Sequence, residues 1–249
     1  HIPLFPQSGG HVSGTSLTVV PGGPACNFAT AVSRLGGHAR LVGIVGDDVF
    51  GRLLQESLRE ENIDISGLDV SFDLGTVGVL VLFEADGQGE QRSFSFGLSE
   101  NLERDMLANE QGALSALTDL DALFLDGILA FSDTWTASGL AATRYAKQRS
   151  NRTLVVCDPN IRIPDNKLPE DLTNRISALF SVSDIVLVNE HESRLITNID
   201  DPEKSATYLM DKFKNLSIVV VKLGAEGALL LARGERTLEP SIFIPQFAV

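Results

Sequence analysis

The sequence predicts an α/β protein, a largely parallel β-sheet covered on both faces by helices, with a small antiparallel appendage. From about Gly22 onward, short Val/Ile/Leu runs alternate with amphipathic stretches, the rhythm of strand–helix–strand units. With 43% hydrophobic and 21% charged residues over 249 positions, the chain can bury an ample core, and intrinsic disorder is excluded. Residues 65–97 alone lack a helical period, so the appendage is placed there.

The elements follow in order. Ala25, Phe28, Ala29, Val32 and Leu35 recur at helical spacing and stop at Gly36-Gly37. A strand is read from Ala39 to Val45, and Phe50, Leu53, Leu54 and Leu58 mark a second helix ending ahead of Asn62. Val77 to Phe83 and Arg92 to Phe96 read as two strands joined by the turn Asp86-Gly87-Gln88-Gly89. Strict alternation places Phe94 and Phe96 on one face, and the irregular stretch up to Val20 is expected to supply partner strands. Further strands are read from Ala122 to Leu125, Leu154 to Cys157, Ile185 to Val188, Ile218 to Leu223 and Ala228 to Leu231. Helices from Trp135 to Arg149, Pro169 to Phe180 and Pro202 to Leu216 lie between them. The expected division is a core of residues 21–64 and 98–249, with the appendage formed by 1–20 and 65–97.

Twenty Lys and Arg against 33 Asp and Glu leave a net charge of −13, which repels phosphate backbones and argues against a nucleic-acid partner. No apolar run approaches the roughly 18 residues of a membrane-spanning helix, and no charged-then-apolar leader opens the chain. A soluble, cytoplasmic protein with no membrane partner is expected. Cys26 and Cys157 cannot form a disulfide framework and lack neighbours at metal-ligand spacing, which suits a reducing compartment.

Five segments carry chemistry. Gly22-Gly23 precedes a helix; two glycines admit a ligand close to the backbone, and the first amides of the helix can bond hydroxyl or phosphate oxygens. Asn27, one turn on, can donate and accept together, which suits a polyol. The same pattern is also an ordinary loop and N-cap. In Gly46-Asp47-Asp48, a carboxylate follows a strand and opens a helix, as a cap or as a reacting group. Asp158-Pro159-Asn160-Ile161-Arg162 puts polar side chains at a strand's carboxyl end, where open α/β sheets place ligands. Asp158 suits the orientation of a metal-bound water and Arg162 the two-pronged hold of an anion, although Asp-Pro-Asn is equally turn chemistry. In Asn189-Glu190-His191-Glu192, Asn189 ends a strand and Glu192 lies a turn into the next helix, suited to Mg²⁺ held through its waters, or to a capping box. Lys222-Leu223-Gly224-Ala225-Glu226-Gly227 joins two strands by a turn that can lie under an adenine or ribose with Lys222 reaching phosphates, or is a tight hairpin. No Walker P-loop occurs and no Gly-x-Gly-x-x-Gly follows a first strand.

In order and spacing, these segments resemble the pfkB, or ribokinase-like, family of carbohydrate kinases over nearly the whole chain. The matching residues are Gly22-Gly23-Pro24-Ala25-Cys26-Asn27-Phe28-Ala29, Arg34-Leu35-Gly36, Gly43 to Gly46 with Asp47, Asp48, Phe50 and Gly51, then the Asp158, Asn189 and Lys222 segments. The resemblance implies a three-layer αβα domain with a β-sheet lid and transfer of the ATP γ-phosphate to a sugar hydroxyl, with Mg²⁺. It implies that Gly22, Gly23 and Asn27 hold sugar hydroxyls and that Asn160 and Arg162 lie between sugar and triphosphate. Asn189 would contact phosphates, Glu192 would hold the waters of Mg²⁺, and Lys222, Gly224 and Gly227 would border the nucleotide. Asp126 and Gly127 stand where members often place a substrate contact, and lids of two copies often pair.

The family's Gly-Ala-Gly-Asp run, which supplies the catalytic base, is absent, as is an N-terminal core strand ending in a sugar-binding Asp. The base is therefore expected beyond Val249, with none among these residues. The Asp-Pro-Asn-x-Arg form is usual among fructokinases and 2-keto-3-deoxygluconate kinases, and the strand from Arg92 to Phe96 resembles the fructokinase lid. Phe96, Gly97 and Leu98 lack the Tyr and Arg that bind a keto-acid carboxylate, so a neutral, fructose-like sugar is expected. A keto-acid sugar or nucleoside kinase, or a non-catalytic sugar and nucleotide binder of the same fold, remain alternatives.

Overall fold

The structure, a computed structural model, describes residues 13, 17–83, 91–97, 101–107, 110–161, 163, 167–234 and 241–246. The chain divides into two compact units, residues 1–102 and 103–249.

The first unit is built on one strand–helix–strand turn. Helix α1 (Pro24–Arg34) has Pro24 in its first turn, where a missing N–H leaves no bond unmade. Strand β1 (Arg40–Gly46) leads through Asp47-Asp48 into α2 (Val49–Glu60), and β2 (Asp64–Ser71) returns parallel to β1. Ala29, Leu41, Leu58 and Ile63 are the buried centre of this unit. Strands β3 (Gly78–Phe83) and β4 (Gln91–Phe96) pair separately as an antiparallel hairpin, Gly78 opposite Phe96 and Phe83 opposite Gln91.

Asp48 decides how β1, α2 and the chain ahead of the hairpin are joined. Its Oδ1 caps α2 through the Gly51 N–H at 2.8 Å and accepts the Thr76 hydroxyl at 2.8 Å, while Oδ2 accepts the Thr76 N–H at 2.7 Å. Thr76 in turn receives the Gly46 N–H on its hydroxyl oxygen at 2.9 Å. Partial burial opposes ionisation of Asp48, but the Thr76 and Gly51 donors outweigh it and hold the carboxyl below its ordinary 3.8. A depressed carboxyl stabilises the fold above its unfolded value and loses that contribution as the pH falls through the folded value. Asp48→Asn, which turns an NH₂ toward a backbone donor, is expected to cost about 1–2 kcal/mol at neutral pH. Urea titrations should show the gap to wild type closing below about pH 3.8; a gap independent of pH would contradict this account.

The second unit is a six-stranded sheet, ordered β10-β9-β8-β7-β6-β5. A short helix α3 (Glu110–Ala116) precedes β5 (Ala122–Asp126), then α4 (Asp133–Arg149), β6 (Leu154–Asp158), α5 (Glu170–Phe180), β7 (Ile185–Asn189), α6 (Glu190–Thr197), α7 (Pro202–Lys212) and β8 (Ile218–Lys222). Strands β5 to β8 are parallel; β9 (Gly227–Ala232) and β10 (Ile242–Pro245) are antiparallel. Because β5 to β8 step sideways in sequence order, right-handed crossovers place α4, α5 and the α6–α7 pair on one face. On alternate strand positions Val155, Cys157, Val186, Val188, Val219 and Val221 are wholly buried, in one cluster with Leu172, Ile176, Leu179 and Phe180 of α5 and Ala206, Leu209 and Met210 of α7. The intervening strand residues are mostly half-buried among the described residues. Asp184, at the amino end of β7, accepts from Lys147 Nζ at 2.9 Å and the Val155 N–H at 2.8 Å, tying α4 to β6.

Three readings are corrected. Residues 64–71, included in the expected appendage from position 65, form a core-type strand parallel to β1 rather than part of the hairpin; β2's mixture of Asp, Ser, Gly and Val hides its period. The helix expected to reach Leu216 ends at Lys212, because Phe213 turns extended at φ −111°, ψ 90°. Phe213 and Leu216 remain buried, so the apolar spacing continues where the helix does not. Helix α3 has no counterpart in the periodicity. The turn at residues 86–89, the side chains of Phe94 and Phe96, and the stretch before residue 13 lie outside the description.

Candidate active site

Four neighbouring parallel strands end on polar residues: Asp126 on β5, Asp158 on β6, Asn189 on β7 and Lys222 on β8. Asp126 pairs in register with Asp158, and Asn189 with Lys222. A largely apolar strand, buried on alternate positions, thus delivers one polar group each to the carboxyl edge of the sheet, the ligand-binding edge of such folds.

Two interactions organise that edge. Lys222 Nζ donates to Asp158 Oδ2 at 2.6 Å, joining the tips of β6 and β8 across β7, with Asp158 the more buried partner. Asn189 and Glu192 form a reciprocal capping box: Asn189 Oδ1 accepts the Glu192 N–H at 2.8 Å, and Glu192 Oε2 accepts the Asn189 N–H at 2.8 Å. Glu192 Oε1 reaches back to the loop after β6 and accepts the Ile161 N–H at 2.9 Å. The Glu192 carboxyl, 2% exposed, is pushed above its ordinary 4.5 chiefly by burial, with the nearby Asp158 charge adding to the rise; the Asn189 amide and Lys222 oppose it.

The loop carrying Asn160 is held tightly. Asn160 sits at φ 41°, a left-handed conformation that Asn tolerates, and its N–H bonds Asp158 Oδ1 at 3.2 Å. Beside it, Gly127 follows β5 so closely that a Cβ there would fall 1.7 Å from the Pro159 carbonyl oxygen. Asp126 caps the short 3₁₀ turn Gly127–Phe131 through the Ile128 N–H at 3.1 Å. Arg162 lies outside the described residues.

Gly224 (φ 57°) opens a 3₁₀ turn, Gly224–Glu226, that joins β8 and β9 as an antiparallel hairpin. Gly227, at φ 119°, leaves no room for a Cβ, which would meet the Ile244 carbonyl oxygen at 2.1 Å. An open cleft of about 730 Å³ runs along this edge, lined by Asn189, Glu190, His191, Arg194, Asp200, Lys222 and Gly224. His191, Arg194 and Asp200 carry no role in the sequence reading; the i, i+3 spacing of His191 and Arg194 on α6 is the signal that could have found them.

In the first unit, Gly23 (φ 99°) is the N-cap of α1 without a side-chain bond, and a Cβ on Gly22 or Gly23 would meet nothing within 4 Å. Asn27 is exposed one turn in, its N–H bonded to the Gly23 carbonyl at 2.9 Å. The structure brings Asp158, Asn160, Asn189, Glu192 and Lys222 together on one edge, while Gly22, Gly23 and Asn27 cluster on α1. Asp48 proves to be a cap, its carboxylate engaged by backbone and hydroxyl donors. Neither Cys26 nor Cys157 is in a disulfide, and burial drives the Cys157 thiol far above its ordinary range, which leaves it inert.

The donors fit an ion delivered with a nucleotide. Among the described residues no three His, Cys, Asp or Glu side chains gather into a metal cage. Glu192, with the Asp158 charge nearby, makes only a sparse carboxylate set, of the kind that suits an ion keeping most of its waters.

Residues 4–249 match the pattern of the pfkB family carbohydrate kinases. A probable fructokinase-7 of Arabidopsis thaliana is 32% identical over 209 residues, covering 83% of this chain and 59% of that protein. Fructokinase-1 of Oryza sativa subsp. japonica is 32% identical over 244 residues, covering 94% of this chain and 72% of the relative. The chain thus spans from under two thirds to under three quarters of the length of these relatives. Among solved structures, fructokinase from Vibrio cholerae O395 with fructose, ADP and calcium bound superposes with a TM-score of 0.72 at 24% identity, over 95% of this chain and 72% of that one. A ribokinase-like protein of E. coli in complex with ATP and Mg²⁺ gives 0.72 at 21% identity, over 95% and 73%. The chain has the ribokinase-like α/β fold and belongs to the pfkB family of carbohydrate kinases.

Proposed function

We propose that this protein is an ATP-dependent sugar kinase acting on a neutral, fructose-like sugar. The row of Asp126, Asp158, Asn189 and Lys222 at four adjacent strand ends is the observation that carries the reading, in a chain of this family. Fructokinases recur among the relatives, and a structural neighbour was solved with fructose and ADP.

Each residue is assigned a part in that reaction. Lys222 offers a charge to nucleotide phosphates, steadied by Asp158, and the positive-φ turn at Gly224 and Gly227 keeps the backbone low enough for the nucleoside to lie against it. Asn189 and Asn160 flank the phosphate path. Glu192 and Asp158 would hold the waters of Mg²⁺, which supplies charge neutralisation on the phosphates. Gly22, Gly23 and Asn27 hold sugar hydroxyls, the family resemblance assigns Arg162 to the space between sugar and triphosphate, and the β3–β4 hairpin serves as the lid and the surface through which two copies pair. No residue of this chain is assigned as the base that takes the hydroxyl proton: Asp158 is neutralised by Lys222, and both Glu192 oxygens already accept backbone N–H groups.

A coupled ADP-release assay on the protein expressed from its complete gene tests the reading against hexoses, pentoses, keto-acid sugars and nucleosides. Turnover is expected with fructose. Sugar binding and ATP binding without turnover on any acceptor would show a binding protein instead.

A further inference from the structure

The cleft beside Lys222 holds a second cation whose commitment is weak. Arg194 projects from the second turn of α6 and is more than half exposed. Its acidic partner, Asp200, stands 3.9 Å away and is 89% exposed, a distance and solvent exposure at which an ion pair holds little. Lys222, by contrast, is bonded to a half-buried carboxylate at 2.6 Å. The Arg194 guanidinium also lies 3.3 Å from His191 Nδ1. A guanidinium has donors only, so in this contact Nδ1 is the acceptor. Glu190 lines the same cleft and opposes an anion there, but it is exposed and screened. In a chain of net charge −13, an anion site must draw its positive charge locally.

We propose that Arg194, oriented by His191, is a phosphate-binding residue of this cleft that discriminates phosphorylated nucleotides from the bare nucleoside. The proposal rests on the kinase reading and extends it to a residue outside the motif matches. Arg194 is placed to supply a planar, two-pronged donor set that a lysine cannot reproduce.

The test is calorimetric binding of adenosine, ADP and ATP to the protein expressed from its complete gene, as wild type, Arg194→Ala and Arg194→Lys. Arg194→Ala is expected to raise the Kd for ADP and ATP about tenfold, the size of one partly screened charge-assisted contact, while the Kd for adenosine stays within about twofold. Arg194→Lys should fall between, and the unliganded melting temperature should not move, because the side chain is exposed. Unchanged ADP and ATP affinities in Arg194→Ala, or an equal loss for adenosine, overturn the proposal while leaving the kinase reading intact. A wild-type protein that binds none of the three overturns both.

Discussion

Gly127→Ala is expected to cost at least about 3 kcal/mol of stability, the upper range for forcing volume into a packed site. A Cβ at Gly127 would overlap the Pro159 carbonyl group, with the oxygen at 1.7 Å and the carbon at 2.1 Å, and both belong to backbone that cannot rotate away. The chain can accommodate the methyl only by separating the end of β5 from the loop after β6. That loop carries Asn160 and the Ile161 N–H bonded to Glu192, so nucleotide affinity should fall together with stability. Gly22→Ala is the natural control, since its Cβ meets nothing within 4 Å and its φ is ordinary; a change within about 0.5 kcal/mol is expected. Urea unfolding of both variants settles the matter, and a Gly127→Ala protein as stable as wild type would refute the close approach.

Glu192→Ala should be nearly as severe, for a different reason. It strands the Asn189 and Ile161 N–H groups, each about 1–3 kcal/mol to leave unsatisfied, for a total of about 2–6 kcal/mol. It also unlinks α6 from the Asn160 loop, so phosphoryl transfer should be lost in the surviving folded protein. Glu192→Gln keeps the volume and isolates the charge. Burial holds the Glu192 carboxyl above 4.5, so the folded state keeps that proton more tightly than the unfolded chain does. Its contribution to stability therefore weakens as the pH climbs from about 4.5 through the raised folded value. Glu192→Gln has no proton to lose and should flatten that part of the curve, measured as urea midpoints between about pH 4 and 8. Identical slopes in the two proteins would show that burial does not govern this carboxyl.

Much of this was legible in the chain because the relevant physics is local. Runs such as Leu154-Val155-Val156-Cys157 and Ile218-Val219-Val220-Val221 have no stable home but a sheet interior, and each ends on a polar residue that the apolar environment rejects. Asn189 and Glu192 could be paired from their spacing alone, since a helix turn brings them together whether they cap or bind. β2 escaped because its side chains mix polar and apolar without a clean period, and its place is set by hydrogen bonding to β1. The helical reading overran at Phe213 because burial, which that residue keeps, was taken as a sign of helix, which it leaves.

By itself the sequence determined the α/β class, the order of most elements, the strand-end residues and the family, all of which depend on residue type and spacing along the chain. Only the tertiary structure decided which of those residues meet. The Lys222–Asp158 pair spans 64 positions, the Glu192–Ile161 bond 31, and the clash that reserves position 127 for glycine involves a carbonyl 32 residues away. Such contacts are set by strand register and crossover handedness, and periodicity within one segment carries no record of them.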